Sequence, residues 1–373
     1  MNKKTLLVTL LLLIILLPSC HFVRSFTYFR PDHKDGNKFP KQDIAKSENE
    51  FVWTYAKTPI DLNNLTVHFR NGAESSLDSL LKYSKTNGFL IVQNKEIKAE
   101  KYYGNYNEAS KNLAFSVSKS AIASIVGIAI DEGLLNYTAP ITQYIPELLN
   151  NDSAFANITF QNVFEMNSGI KIRGKNAALF GDLARTYYGN NFYRFMKTIE
   201  IEKAPGGTPR YNQTDAELVA LILKRVIGRP ITEYFYEKIW NKIGATEAFW
   251  NTYKKDDLIR GYCCLNAKAK DFAKFAQLYL NDGVWNGKQI LPKGWVSFVT
   301  EYKGKNPNNK AFTFYRHWFP STDGKGDYTA QGFNGQFIYI NPLKDLIIIR
   351  LGKRDFDKEI NWESILRNIA QKL

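Results

Sequence analysis

Two β-rich runs, residues 88–93 (GFLIVQ) and 97–103, are separated only by Asn94-Lys95-Glu96, and this predicts a hairpin. A stretch follows in which Ile122, Ile125, Val126, Ile128, Ala129 and Ile130 leave little polar face. It reads as a helix opening near Ser116 and stopping at Asp131-Glu132-Gly133, with Gly133 as the C-cap. A helix apolar nearly all round is buried on several sides. Residues 138–254 read as mostly helical with Pro/Gly-rich loops, notably 204–209 (APGGTP), and 267–280 as an amphipathic helix. Strands are predicted at 336–340 and 346–351 around the turn 341–345, and a last helix at 362–373. The order strands, helices, strands, helix predicts an α+β fold: one antiparallel sheet built from both termini, flanked by helices, with a mostly helical region inserted. No repeat period is apparent.

The first residues follow a different pattern. Lys3 and Lys4 precede an apolar stretch, 6–17, broken only by Thr9 and too short to span a bilayer, which takes about 20 residues. It ends in Leu17-Pro18-Ser19-Cys20, which resembles a bacterial lipobox with cleavage before Cys20 and lipid on its sulfur. Pro18 is unusual there, so an ordinary signal peptide or an uncleaved anchor is the alternative. The expected division is therefore a lipoprotein signal peptide at 1–19, a polar tether at 20–50 and a globular domain at 51–373. The expected location is the bacterial cell envelope, with the domain exported and held at the membrane surface.

The net charge of +14 raises the thought of nucleic acid, but the lysines are spread singly and no nucleic-acid-binding signature is present. A basic surface near anionic lipid or cell wall fits better. Cys263 and Cys264 are adjacent and read as two free thiols in a packed segment. Without Cys-x-x-Cys, and with four histidines of which His21 and His33 lie beside the anchor, no metal site and no cofactor are expected.

Ser-x-x-Lys occurs three times: Ser79/Lys82, Ser116/Lys119 and Ser168/Lys171. Lys82 lies in a polar amphipathic stretch, and Ser168 lies in the turn Asn167-Ser168-Gly169. Only Ser116/Lys119 heads a buried helix, with hydroxyl and amine one turn apart on one face. Burial there would lower the lysine pKa, so that a neutral amine could take the serine proton. The competing reading is a helix-capping serine beside a lysine that reaches for solvent. A second element is Pro205-Gly206 followed by Tyr211-Asn212-Gln213, with 214–217 (TDAE) resembling a capping box that starts a helix at 216–227. A third is 330–336 (AQGFNGQ), where two glycines at the start of a strand permit close backbone approach by a ligand or another strand.

These elements, in this order, resemble the serine β-lactamase and penicillin-binding superfamily, closest to the class C β-lactamase-like branch that includes carboxylesterases and 6-aminohexanoate-dimer hydrolases. Further blocks extend the resemblance from about Gly88 to the C-terminus: 130–134 (IDEGL), 166–169 (MNSG), 265–267 (LNA) and 283–287 (GVWNG). The resemblance implies a β-lactamase-like fold, with Ser116 as nucleophile, Lys119 as proton acceptor and Tyr211 as relay to the leaving group. It implies the backbone N–H groups of Ser116 and Phe333 as oxyanion donors, and Gln213, Ala330, Gln331 and Gly332 as substrate-binding positions. Two departures matter: Gln213 stands where the family has Asn, and Ala330 stands where it has a cationic or polar residue facing the substrate carboxylate. Both favour small-molecule or peptide esters and linear amides over β-lactams. His317 is expected in a cleft wall or core, not as a base. A non-catalytic surface protein on the same fold is the competing class. A Ser-His-Asp hydrolase is excluded by the absence of Gly-x-Ser-x-Gly.

Overall fold

The computed structural model describes Arg24 and residues 30–174, 181–255, 257–302, 304, 312–353 and 357–373. The expected signal segment, 1–19, and Cys20 lie outside the described residues. In chain order, the elements that position the site begin with β1 (Lys41–Ile44), β2 (Thr54–Tyr55), α1 (Leu77–Tyr83), β3 (Thr86–Gln93) and β4 (Glu96–Tyr102). Next come β5 (Asn112–Leu113), α2 (Ser118–Asp131), α3 (Gln213–Ile227), β6 (Ala248–Asn251), β7 (Leu265–Ala267) and α4 (Ala269–Leu280). The last are β8 (Phe319–Pro320), β9 (Tyr328–Gly332), β10 (Gln336–Asn341), β11 (Leu346–Gly352) and α5 (Trp362–Lys372).

The main sheet runs β8-β9-β10-β11-β3-β4-β2, antiparallel except where β2 joins β4. Strand β11 pairs with β3, Ile349 opposite Leu90 and Ile347 opposite Val92, so the two ends of the chain close one sheet as the pattern predicted. Side-chain alternation sorts the strands between two cores. Phe89, Ile91, Tyr339 and Ile348 pack under α1 and α5 with Leu80, Leu81, Trp362 and Leu366. Leu90, Val92, Ile338 and Ile349 face the larger core that holds α2, α3 and α4. Helix α2 is buried from Ser118 to Ala129, in keeping with its lack of a polar face. It ends where Gly133 takes φ +71° and the Leu134 N–H returns to the Ala129 carbonyl.

Three sequence-based expectations need correction. The stretch read as a tether is docked from Asp32 onward: β1 pairs with β6, Lys41 opposite Asn251, and Asp35, Phe39 and Ile44 are buried. Polar composition misled here because Asp35 is satisfied by the Tyr187 hydroxyl at 2.9 Å and Lys38 at 2.7 Å. Cys263 and Cys264 are joined by a disulfide and are not free thiols. Helix α3 begins at Gln213, with Asn212 as N-cap accepting the Thr214 N–H at 2.9 Å, so residues 214–217 are its first turn and not its cap.

Candidate active site

Ser116 lies in a single 3₁₀ turn, Phe115–Val117, that leads into α2. Phe115 takes φ +46°, a left-handed conformation that a non-glycine residue holds only when its surroundings impose it. Strand β5 delivers the chain to this turn by pairing with β7, and the Ala114 N–H bonds the Leu265 carbonyl at 2.8 Å. The Ser118 hydroxyl accepts the Leu265 N–H at 3.0 Å. On the other side the end of β9 presses in: a Cβ on Gly332 would sit 2.4 Å from the Ala114 carbonyl oxygen. Glycine is therefore required at 332 for close approach of the Ala114 backbone that leads into the Ser116 turn. The Phe333 ring, the next residue, packs edge-on against Phe115 with centroids 5.7 Å apart, which brings the expected oxyanion turn beside Ser116.

That turn is braced from behind. Gln336 Nε2 donates to the Gly352 carbonyl at 2.7 Å, and the buried Arg350 guanidinium donates to the Ser84 carbonyl at 3.0 Å while stacking over Trp362. Lys119 is 1% exposed. Its Nζ lies 3.0 Å from Ser116 Oγ and donates to the Tyr262 carbonyl at 2.7 Å. Burial pushes its pKa down to about 7, an effect the Glu217 carboxyl partly offsets. At neutral pH a large share of Lys119 is thus the free amine, whose lone pair can receive the serine proton.

Tyr211 completes the group. Its ring lies 4.8 Å from Lys119 Nζ, its hydroxyl is turned toward Ser116, and Phe314 packs edge-on against it at 4.7 Å. Burial raises the phenol pKa, with the Ser116 bond opposing, so Tyr211 is a neutral phenol suited to passing a proton on. The turn that aims it is fixed by Met166, whose carbonyl accepts the Arg210 N–H at 2.8 Å. Below it, Asp215 accepts the Ser168 hydroxyl at 2.7 Å and the Asn212 amide at 3.2 Å. Ser168, one of the three Ser-x-x-Lys serines, is thereby committed to a supporting bond.

The remaining expected positions divide. Gln213 is half-buried in the first turn of α3. Ala330 and Gly332 share the face of β9 that meets the Ser116 turn, and Ala330 belongs to the larger core. Gln331 points the other way: its amide donates to Thr329 and to Glu363 of α5, both at 2.8 Å, so its side chain does not line the site. His317 is a buried core residue, stacked on Phe164 at 4.8 Å, and desolvation drives its pKa down to about 3. Tyr262 was not anticipated; it acts through its carbonyl, which leaves no trace in residue type.

Comparison with known proteins shows the family. The Beta-lactamase family model matches residues 86–366. The chain belongs to the Beta-lactamase family. It is 24% identical over 320 residues to 6-aminohexanoate-dimer hydrolase of Paenarthrobacter ureafaciens, covering 79% of each chain. A 6-aminohexanoate-dimer hydrolase homologue from Bacillus anthracis superposes with a TM-score of 0.80 at 23% identity, over 90% of each chain. A class C β-lactamase gives a TM-score of 0.62 at 14% identity, over 80% of this chain and 94% of that one. The β-lactamase-like α+β fold and the membership in a family of serine hydrolases stand on these matches.

Proposed function

We propose that this protein is an exported serine hydrolase that cleaves an ester or linear amide through an acyl-enzyme on Ser116. The observation that carries the reading is the fully buried Lys119 amine 3.0 Å from Ser116 Oγ, with Tyr211 against both. Lys119 takes the Ser116 proton as Oγ attacks the carbonyl carbon. The oxyanion is held by the Ser116 and Phe333 N–H groups. The proton then passes by way of Tyr211 to the departing amine or alcohol, leaving an ester on Ser116. Water, deprotonated by the same Lys119/Tyr211 pair, releases the acid. An assembled triad favours catalysis over the alternative of a binding protein.

Linear amide or ester substrates are supported by the relative named as a 6-aminohexanoate-dimer hydrolase and by Ala330, which offers no charge to a substrate carboxylate. Export is supported by the apolar segment at 6–17 and by Cys20 as a lipid acceptor, and the Cys263–Cys264 disulfide fits an oxidising compartment. Among the described residues no helix is long and apolar enough to cross a membrane, so attachment would rest on the N-terminal segment. The test is turnover of p-nitrophenyl esters, a linear 6-aminohexanoate amide dimer and a chromogenic cephalosporin, with Ser116→Ala alongside. Hydrolysis of esters or the amide, lost in Ser116→Ala and weak on the cephalosporin, is expected. Equal rates for wild type and Ser116→Ala would remove the reading.

A further inference from the structure

The steps above leave one buried acid unused. Glu217 lies on α3, beyond Tyr211, with its side chain wholly out of solvent. Its Oε2 accepts the Tyr262 N–H at 3.4 Å, and the carbonyl of that same Tyr262 takes Lys119 Nζ at 2.7 Å. A single residue thus links the carboxyl to the proposed base. The Tyr253 hydroxyl lies against the carboxyl, yet Oε1 makes no hydrogen bond of good geometry. A buried carboxyl so sparsely bonded is costly and calls for a reason.

The reason lies in what Lys119 becomes. When it accepts the serine proton, an ammonium forms in a dry site and depends on the acceptor already beside it, the Tyr262 carbonyl at 2.7 Å. The titratable groups packed around it are few. Tyr211, Tyr253 and Tyr262 are phenols whose pKa values burial raises. His317 is neutral, and Asp215 is bound by Ser168 and Asn212 with its pKa well above the usual carboxylate range. Arg260 is a buried cation whose guanidinium is held by the carbonyls of Thr252, Thr186, Tyr187 and Gly189. Glu217 is the remaining acid of the group, and burial holds its own pKa up to about 8, so near pH 7 it is mostly uncharged and reaches Lys119 through the Tyr262 peptide.

We propose that Glu217 is a positioning residue for the Lys119 base: it fixes the Tyr262 peptide, whose carbonyl aims Nζ at Ser116. The inference rests on the proposed acyl-enzyme function and goes beyond it by naming the buried acid that holds the base in place.

The experiment is kcat, KM and thermal stability for ester hydrolysis by wild type, Glu217→Leu and Glu217→Gln. Glu217→Leu removes the acceptor of the Tyr262 N–H, so kcat should fall by about 10-fold or more with KM nearly unchanged. Glu217→Gln keeps an uncharged oxygen at that place and should retain most of the wild-type kcat, with the acid limb of kcat/KM still near 7, which serves as the test if Glu217→Leu does not fold. Wild-type kcat in folded Glu217→Leu, or a Glu217→Gln that loses kcat while folded, would overturn the inference, since a purely structural role alters stability without a selective loss of kcat. Absence of Ser116-dependent turnover in wild type would instead defeat the proposed function itself.

Discussion

Replacing Lys119 by methionine should make the protein more stable near neutral pH, and the gain should shrink as the pH rises. The amine is held in the fold at a pKa of about 7 against 10.5 for an ordinary lysine. The unfolded chain therefore binds a proton that the folded chain gives up between those values, and folding pays for this below pH 7. A gap of roughly 3.5 units corresponds to about 5 kcal/mol of native-state destabilisation at low pH. Methionine has similar bulk and removes that cost, while leaving the Tyr262 carbonyl without its 2.7 Å donor. Such a loss costs about 1–3 kcal/mol, so the net gain at pH 6.5 should be about 2–4 kcal/mol. The sign follows directly: the lysine penalty is complete below pH 7, fades through the interval and is gone above 10.5. Between pH 6.5 and 9.5 the advantage should narrow by about 3 kcal/mol. Urea unfolding of both proteins at the two pH values measures the difference. A stability difference that does not change with pH would mean that Lys119 titrates as an ordinary amine, and the proposed base would be lost with it.

Other outcomes follow from the same geometry. Tyr211→Phe removes the hydroxyl turned toward Ser116 and should lower kcat by about 10²–10⁴-fold with little change in KM, read from steady-state kinetics. Gly332→Ala forces a Cβ to within 2.4 Å of the Ala114 carbonyl, displacing the Phe333 N–H; kcat should fall by about 10²–10³-fold, and thermal unfolding should show a loss of about 1–3 kcal/mol. For wild type, kcat/KM should rise with pH through a limb near 7, where Lys119 loses its proton, and a pH-independent profile from 5 to 9 would contradict that assignment.

What the sequence disclosed, and what it hid, follows from how each feature is encoded. The hairpin of β3 and β4, the all-apolar α2 and the pairing of β11 with β3 are written in local apolar patterning, which the folded chain obeys. Ser116 and Lys119 were legible because three-residue spacing on a helix fixes their relation before any tertiary contact forms. Tyr211 needed the family resemblance, because one tyrosine among 21 carries no signal of its own. Gln331 was included wrongly: strand alternation separates it from Ala330 and Gly332, but only the register of β9 tells which face meets the nucleophile. The docked segment at 32–47 escaped notice because its buried Asp35 depends on Tyr187, about 150 residues away. Tyr262 and Glu217 act through a backbone peptide and through burial, neither of which residue type reveals.

The most direct test of an activated Ser116 is the intact mass of the domain, prepared without the first 20 residues, after exposure to a fluorophosphonate, beside Ser116→Ala. The account predicts one adduct on the wild-type domain and none on the variant. An unmodified wild type under conditions that label a control esterase, or equal labelling of the variant, would contradict it.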